Sequence, residues 1–390
     1  MENVSSRCGN RDSAPRLRFP EFRGEWIEKK LGEIFFEVNE RKHPELPVLS
    51  IQQGIGTVFR DISERRIAYD KANINAYKVI EPGDFIIHLR SFEGGLECSK
   101  HKGISSPAYK ILRSNCIDSA AFKDYFRSYN FIEGKLAAAV TGIRDGKNID
   151  MPTFWSLKIN IPSLPEQKKI AAFFKLLDRR IQKQRQLVEF LKTYKRGYFR
   201  YLLSTFTTKE YLLNDIIFEY TEKATSNRQY PILSSTMNGI KLQTTYFNKY
   251  AASENTIGYK IVPYGYFTYR SMSDTGEFHF NYQDIIDKGI VSPAYPVFCV
   301  SEFHNSRFVE YILNETDFIK SQLMIAKEGG TRYALSFPKF QRLRIQLPDK
   351  FIQDKVAEQI VLFERKISSE EKVLLSFEVQ KKHLLQQMFI

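Results

Sequence analysis

The stretch Ser163-LPEQKKIAAFFKLLDRRIQKQRQLVEFLKTYKRGYFR-Tyr201 decides how this chain is built. Ser163 is placed to cap a helix, and Glu166 three residues on completes an S-x-x-E box. Pro165 falls in the first turn, where its missing N–H costs nothing. Apolar residues then recur in alternating steps of four and three: Ile170, Phe174, Leu177, Ile181, then Val188, Leu191, Tyr198 and Leu202, with polar breaks at Gln184 and Lys195. That is the period of a coiled-coil seam, and a seam requires a facing helix.

The chain supplies one. Adding 186 to each position gives Val356, Ile360, Phe363, Ile367, Leu374, Phe377, Leu384 and Met388, with the breaks returning as Glu370 and Lys381. Pro162-Ser163 becomes Pro348-Asp349. Two helices in one register with shared interruptions are a duplication, and the segments before them carry it too. Lys102-Gly-Ile-Ser-Ser-Pro-Ala-Tyr109 answers to Lys288-Gly-Ile-Val-Ser-Pro-Ala-Tyr295, Leu31-Gly-Glu-Ile-Phe-Phe-Glu37 to Leu213-Asn-Asp-Ile-Ile-Phe-Glu219, and Pro47-Val-Leu-Ser50 to Pro231-Ile-Leu-Ser234. The halves diverge most around Arg60 to Asn75 and Gln243 to Asn255. The expected fold class is therefore α+β: two duplicated mixed domains separated by two long helices that pair as an antiparallel coiled coil. The boundaries read as a disordered tail at 1–15, a first domain at 16–162, the central helix at 163–203, a second domain at 204–348 and a C-terminal helix at 349–390.

Within the first domain, Lys30 to Val38 and Ser119 to Val140 have helical spacing. Pro47 to Ile51, Asp84 to Arg90, Ile104 to Leu112 and Phe154 to Ile161 read as strands.

Hydrophobic and aromatic contents of 43% and 14% belong to a folded chain. No apolar run reaches the ~18 residues of a membrane span, and the polar N-terminus has no apolar core of a secretory signal. Cys8, Cys98, Cys116 and Cys299 follow neither disulfide nor zinc spacing, so a reducing cytoplasm is the simplest setting. The net charge of +13 favours a polyanionic partner. Most of the excess sits on the central helix, where Pro165 to Arg200 hold eleven Lys/Arg against three Asp/Glu; Asp349 to Ile390 hold seven of each. The central helix is accordingly expected to face phosphate or an acidic surface, with Lys183, Arg185, Lys192 and Arg196 mattering more than Lys366, Lys372, Lys381 and Lys382.

Catalytic motifs are missing. There is no phosphate-binding glycine loop, no dinucleotide fingerprint and no Asn/Asp-Pro-Pro-aromatic motif; Ser-Pro-Ala-Tyr suits a core role instead. Cys98-x-x-His101 with Cys116 has no counterpart in the second half, so no metal or other cofactor is expected. Binding chemistry is present. Gln52, Gln53, Arg60, Arg65, Arg66, Arg90, His101, Arg144, Lys147 and Asn148 fall in loops of the first domain; Asn238, Lys241, Gln243, Arg270, Lys327, Arg332 and Tyr333 do so in the second. Such side chains grip phosphates or read base edges, Arg on guanine and Asn or Gln on adenine being the two-pronged cases.

The entry Arg18-Phe-Pro-Glu-Phe-Arg-Gly-Glu-Trp26, the phrase Ile161-Pro-Ser-Leu-Pro-Glu-Gln-Lys-Lys-Ile170 and its weaker copy Leu347-Pro-Asp-Lys-Phe-Ile-Gln-Asp-Lys-Val356 resemble the specificity subunit of type I restriction-modification systems. The second copy keeps Gln353 and Lys355 but has no Glu before the Gln. The resemblance implies a non-catalytic reader of double-stranded DNA. Its two target recognition domains would each read half of a bipartite site. It would recruit two methyltransferase (modification) subunits, which bring S-adenosylmethionine, and through them restriction/translocase subunits. A stand-alone methyltransferase or nuclease with an unfamiliar site is the alternative reading, and a coiled-coil adaptor without nucleic acid a third.

Overall fold

The computed structural model describes residues 14–60, 71–88, 95–142, 148–243, 255–330 and 332–389. The tail expected at 1–15 lies almost wholly outside them. The chain forms two compact units: residues 1–185 with 372–390, and residues 186–371. Each contains one globular α+β domain and a portion of both long helices, which run from Leu164 to Ser204 and from Lys350 to Met388.

In the first unit, strand Ile27–Lys30 pairs antiparallel with Lys158–Ile161, which feeds the central helix directly. Between them lies a four-stranded antiparallel sheet in the order Phe36–Val38, Tyr109–Arg113, Phe85–His88, Glu97–Cys98. A hairpin, Leu49–Gln52 with Gly56–Phe59, and a ladder, Lys78–Ile80 with Gly103–Ser105, complete the strands that bear on the site. Phe85, Phe122, Phe126, Phe131 and Phe154 form the core, joined by Ile170 and Phe174 from the central helix and Met388 and Phe389 from the C-terminal one.

The second unit repeats the plan. Lys209–Leu212 pairs with Arg344–Leu347, which feeds the C-terminal helix. The sheet runs Ile217–Glu219, Val297–Val300, Phe267–Thr268, Asn281–Tyr282, and Leu233–Thr236 with Gly239–Leu242 make the matching hairpin. Phe199 and Val356 bring the two long helices into the core around Phe267, Phe280, Phe298 and Phe340.

The shared Lys-Gly-Ile phrase has a packing cause. A Cβ on Gly103 would stand 2.5 Å from the Pro47 carbonyl oxygen, and one on Gly289 would stand 2.4 Å from Leu233 Cδ1. Only glycine lets this strand pass so close to the hairpin. The following Ser-Pro-Ala-Tyr is a turn, closed by Tyr109 N–H on the Ser106 carbonyl and Tyr295 N–H on that of Ser292. That turn splits the single strand expected over Ile104 to Leu112 in two.

Other local expectations change as well. Lys30 to Val38 is a strand, one helical turn and a second strand. Ser119 to Val140 breaks into short α and 3-10 turns. Met151–Ser156 is a helix capped by Asp150, so Trp155 belongs to a helix and only Lys158–Ile161 to a strand. Glu166 does not form a capping box. It is 1% exposed, and its carboxylate accepts two hydrogen bonds from Arg18 (2.8 and 2.7 Å) and one from Trp26 Nε1 (3.3 Å). The seam positions named above are buried or half-buried throughout.

Two contacts fasten each domain to the helices. Gln167 and Gln353 are each 1% exposed. Gln167 donates to the Pro162 carbonyl and accepts from Asp118 N–H; Gln353 donates to the Pro348 carbonyl and accepts from Asn305 N–H. Asp118 and Asn305 are N-caps of domain helices. One conserved side-chain geometry therefore ties a strand exit to a helix entry in both units, neutral and fully satisfied.

The second contact is ionic. In the first unit Lys381 lies 2.6 Å from Asp178 and 2.9 Å from Asp124, and Lys123 lies 2.7 Å from Asp178 and 3.8 Å from Asp124. In the second unit Lys195 lies 3.0 Å from Glu364, and Arg307 lies 2.7 Å from Glu310 and 2.9 Å from Glu364. Asp124 and Glu310, Asp178 and Glu364, and Lys195 and Lys381 are all 186 apart. Two of the seam's polar breaks are thus halves of a duplicated ion quartet. Burial raises the carboxyl of Asp178, but hydrogen bonds from Lys123 and Lys381 outweigh it and the net shift is downward. In the second unit burial dominates and pushes Glu310 up to about 7, against the pull of Arg307 and the Tyr282 N–H.

Removing one cation leaves two carboxylates to share the other, Lys123 in the first unit and Arg307 in the second. Lys381→Ala is expected to cost about 2–3 kcal/mol, less than the ~3–5 of a fully buried pair because all four groups keep some water. Hydrogen exchange should then speed up at 119–132 while 306–326 stays protected; Lys195→Ala should do the reverse. Uniform deprotection by either variant would contradict a local fastening.

The pH responses should differ in sign. Asp178 has a folded value below its ordinary 3.8, so its contribution is present above that value and lost as pH falls. Glu310 has a folded value above its ordinary 4.5, so the stability it lends is lost as pH rises through about 7. Glu310→Gln should flatten the urea-unfolding free energy between about pH 5 and pH 8; an unchanged slope would show that this carboxyl is not the source.

Candidate nucleic-acid interface

Gln52 and Arg60 belong to one hairpin. Its turn needs glycine twice: Gly54 and Gly56 have φ of +85° and +94°, and a Cβ on Gly56 would meet the Cys98 carbonyl oxygen at 2.4 Å. Arg60 N–H closes on the Val48 carbonyl, and its Nε donates to Ser50 Oγ at 3.3 Å. The adjoining Phe59 ring lies 4.6 Å from the His101 ring, so His101 is held against the hairpin. Asn148 is exposed on a separate two-residue ladder with Thr141, where its Oδ1 accepts from Ile149 N–H. Arg65, Arg66, Arg90, Arg144 and Lys147 lie outside the described residues.

The second unit brings more of its candidates together. Strands Met272–Ser273 and Tyr333–Ala334 pair, which sets Asp274 beside Arg332. Arg332 Nε donates to Asp274 Oδ1 at 2.9 Å, and that hydrogen bond and the charge of Arg332 hold the aspartate below its usual value, with Arg270 adding to the pull. Lys327 Nζ lies 4.2 Å from the centre of the Tyr333 ring. Gly276, with φ of +78°, makes room for it: a Cβ there would stand 2.5 Å from Lys327 Nζ. Arg270 and Asp274 also line a pocket of about 210 Å3 whose far wall is Ser235, Thr236 and Met237 of the hairpin tip.

Lys241 is exposed on that hairpin, and Asn238 is exposed at its turn. Gln243 just beyond is 8% exposed, with its N–H on the Ile232 carbonyl and no partner for Oε1 among the described residues. Its burial sets it apart from the solvated surface residue it resembles in sequence. Arg332 and Asp274 are both more than half exposed, so their pairing is weak and exchangeable for another anion.

Sequence reasoning missed Asp274, because a carboxylate 58 residues away gives no local signal. It also missed His279 in the pocket lining, half-buried, whose desolvation pushes the ring below its ordinary value. Much of the positive charge counted on the central helix is paired within the chain. Lys169 pairs with Glu21, Arg185 with Glu378, Lys192 with Glu371, Lys195 with Glu364 and Arg200 with Asp317, while Arg180 covers the Phe377 ring at 4.4 Å. Lys381 and Lys195 are fastening residues, which makes Lys381 unsuitable as a neutral control.

Comparison with known proteins is consistent with this geometry. Residues 117–190 match the family of type I restriction modification DNA specificity domains. A type I restriction-modification system S subunit from M. genitalium shares the fold, with a TM-score of 0.53, 12% identity and coverage of 97% of this chain and 99% of that one. A chain from a type I R-M system, solved to explain its complex assembly and conformational transition, also has a TM-score of 0.53, with 16% identity and coverage of 93% and 97%. Curated proteins give no match. The resemblance read from the sequence is therefore borne out: residues 117–190 match the type I DNA specificity family, and the fold of the solved S subunits extends along nearly the whole chain.

Proposed function

We propose that this chain, which carries a type I DNA specificity domain, is the non-catalytic reader of a bipartite, asymmetric DNA site and the scaffold for two modification subunits. Restriction/translocase subunits would join through those, in the cytoplasm. The observation that carries the reading is the duplication: one sheet order, one glutamine tie and one ion quartet occur twice, while the loops that bear Arg, Lys and Gln differ. A repeated frame with unlike loops suits two different half-sites. It also offers equivalent docking positions to two copies of one partner.

Phosphate contact would come from the exposed Lys and Arg of each domain. Base reading would come from the hairpins and the Arg270–Arg332 cluster, where a two-pronged contact discriminates by about 1–3 kcal/mol. Among the described residues no helix is long and apolar enough to cross a membrane. S-adenosylmethionine chemistry would belong to the partners; methylation or cleavage of DNA by the purified chain alone would defeat the proposal.

The helices act as the ruler in this reading. Deleting residues 184–190 and 370–376 removes one heptad from each and keeps the seam in phase, shortening each by about 10 Å. Methylation mapping should then show a gap between half-sites shorter by about three base pairs. An unchanged gap would refute the ruler.

The Asp274–Arg332 pair gives a local test. Asp274→Asn frees Arg332 and should tighten duplex binding, whereas Arg332→Ala should weaken it and make the salt dependence shallower by about one unit of slope. Fluorescence anisotropy across a salt series reads both, and no change in either would remove Arg332 from the interface.

A further inference from the structure

Neutralising the central helix's paired cations leaves a remainder with a shape. Arg196 apart, which lies on another face, the cations of this helix without an ion pair or ring contact among the described residues are Lys168, Lys175, Arg179 and Lys183, and all four are exposed. Their steps of seven, four and four residues confine them to a sector of about 80° that extends for about 22 Å. The packed side of the same helix, Ile170, Phe174 and Ile181, lies on the opposite face. No acidic side chain falls in the sector.

The duplication shows that the fold does not require this strip. The corresponding positions of the C-terminal helix are Asp354, Val361, Arg365 and Ser369, whose charges cancel. That helix makes the same glutamine tie and the same ion quartet without the cations. What both copies keep is structural; what one copy adds needs a different cause. Exposed Leu176 lies about 20° beyond the edge of the sector, and Leu362 is exposed at the matched position, 63% against 62%, so this leucine belongs to the repeated set and not to the strip.

We propose that Lys168, Lys175, Arg179 and Lys183 form a sequence-independent contact with the sugar–phosphate backbone of duplex DNA between the two half-sites. The proposal rests on the DNA-reading function above. A row of one sign without interspersed acids suits a duplex backbone, which presents negative charge all along its length and needs no exact spacing.

The test uses the full chain and two duplexes, one carrying the site mapped by methylation and one without it. The quadruple variant Lys168→Gln, Lys175→Gln, Arg179→Gln, Lys183→Gln should bind both more weakly. Its plot of log affinity against log salt should be shallower by about 3–4, and the methylation motif should stay unchanged. Lys168→Asp, Lys175→Val, Lys183→Ser, which copies the second helix into the first, should act in the same direction, and unfolding in urea checks that both variants fold. An unchanged slope overturns the proposal. So does normal duplex binding combined with lost assembly, which would assign the strip to an acidic protein partner. If the parent chain itself shows no preference for the mapped site, it is the DNA-reading function that fails.

Discussion

Each domain in this chain is held to the long helices by two contacts of opposite character, a neutral glutamine tie and an ion quartet. The glutamine satisfies a strand exit and a helix cap at once, so no polar group is left over. The quartet places two cations between two carboxylates where water is scarce but present. Apolar packing alone would let a domain slide along a helix, because a seam of Leu, Ile and Phe repeats itself every turn. Charges at single positions do not repeat, and they select one register. A proposed role as a ruler would depend on that register being fixed.

The two copies of the quartet are exchanged between helices. In the first unit the carboxylate Asp178 is on the central helix and Lys381 is on the C-terminal one; in the second unit Lys195 is on the central helix and Glu364 on the C-terminal one. Each unit therefore takes the start of one helix copy and the end of the other. Antiparallel pairing requires this: as residue numbers rise from Asp178 to Arg185, their partners fall from Lys381 to Glu378. A duplicated segment can form such a pair only if its sequence works in both roles, which is why the polar breaks recur at 186.

The seam, its breaks and the duplicated phrases were legible because each is periodic or repeated within one sequence. The breaks looked like interruptions, since Asp124 and Glu310 are 54 residues from the nearest helix partner in each quartet. Only the second half of the strand assigned to Phe154 to Ile161 forms, because alternation over eight residues cannot distinguish one strand from a short helix followed by a shorter strand, and Asp150 with Pro152 starts the helix. The charge of the central helix was only partly legible, for a different reason. Counting charges on one element ignores acids that the fold brings from others, and Glu364, Glu371 and Glu378 come from the helix whose own count is zero. Of the candidate contacts, the Arg270, Lys327, Arg332 and Tyr333 group gathers because a short ladder joins segments about 60 residues apart. No spacing rule could have announced it.

The departures from the repeat carry as much information as the repeat. Glu166 has no counterpart beside Gln353, where Ile352 stands instead. Its carboxylate serves Arg18 and Trp26, an entry segment that reaches the first unit only, so the missing second Glu reflects a missing ligand and not a weakened helix start. The ends of the two helices do keep the repeat: Leu202 and Leu203 pack on the second core as Met388 and Phe389 pack on the first. Residues that a duplication preserves answer to the frame, and residues that it drops answer to something present on one side. Glu166 answers to the entry segment. The strip from Lys168 to Lys183 is equally one-sided and has no ion-pair partner among the described residues, so by the same argument it answers to something other than the frame, the duplex backbone in the proposal above.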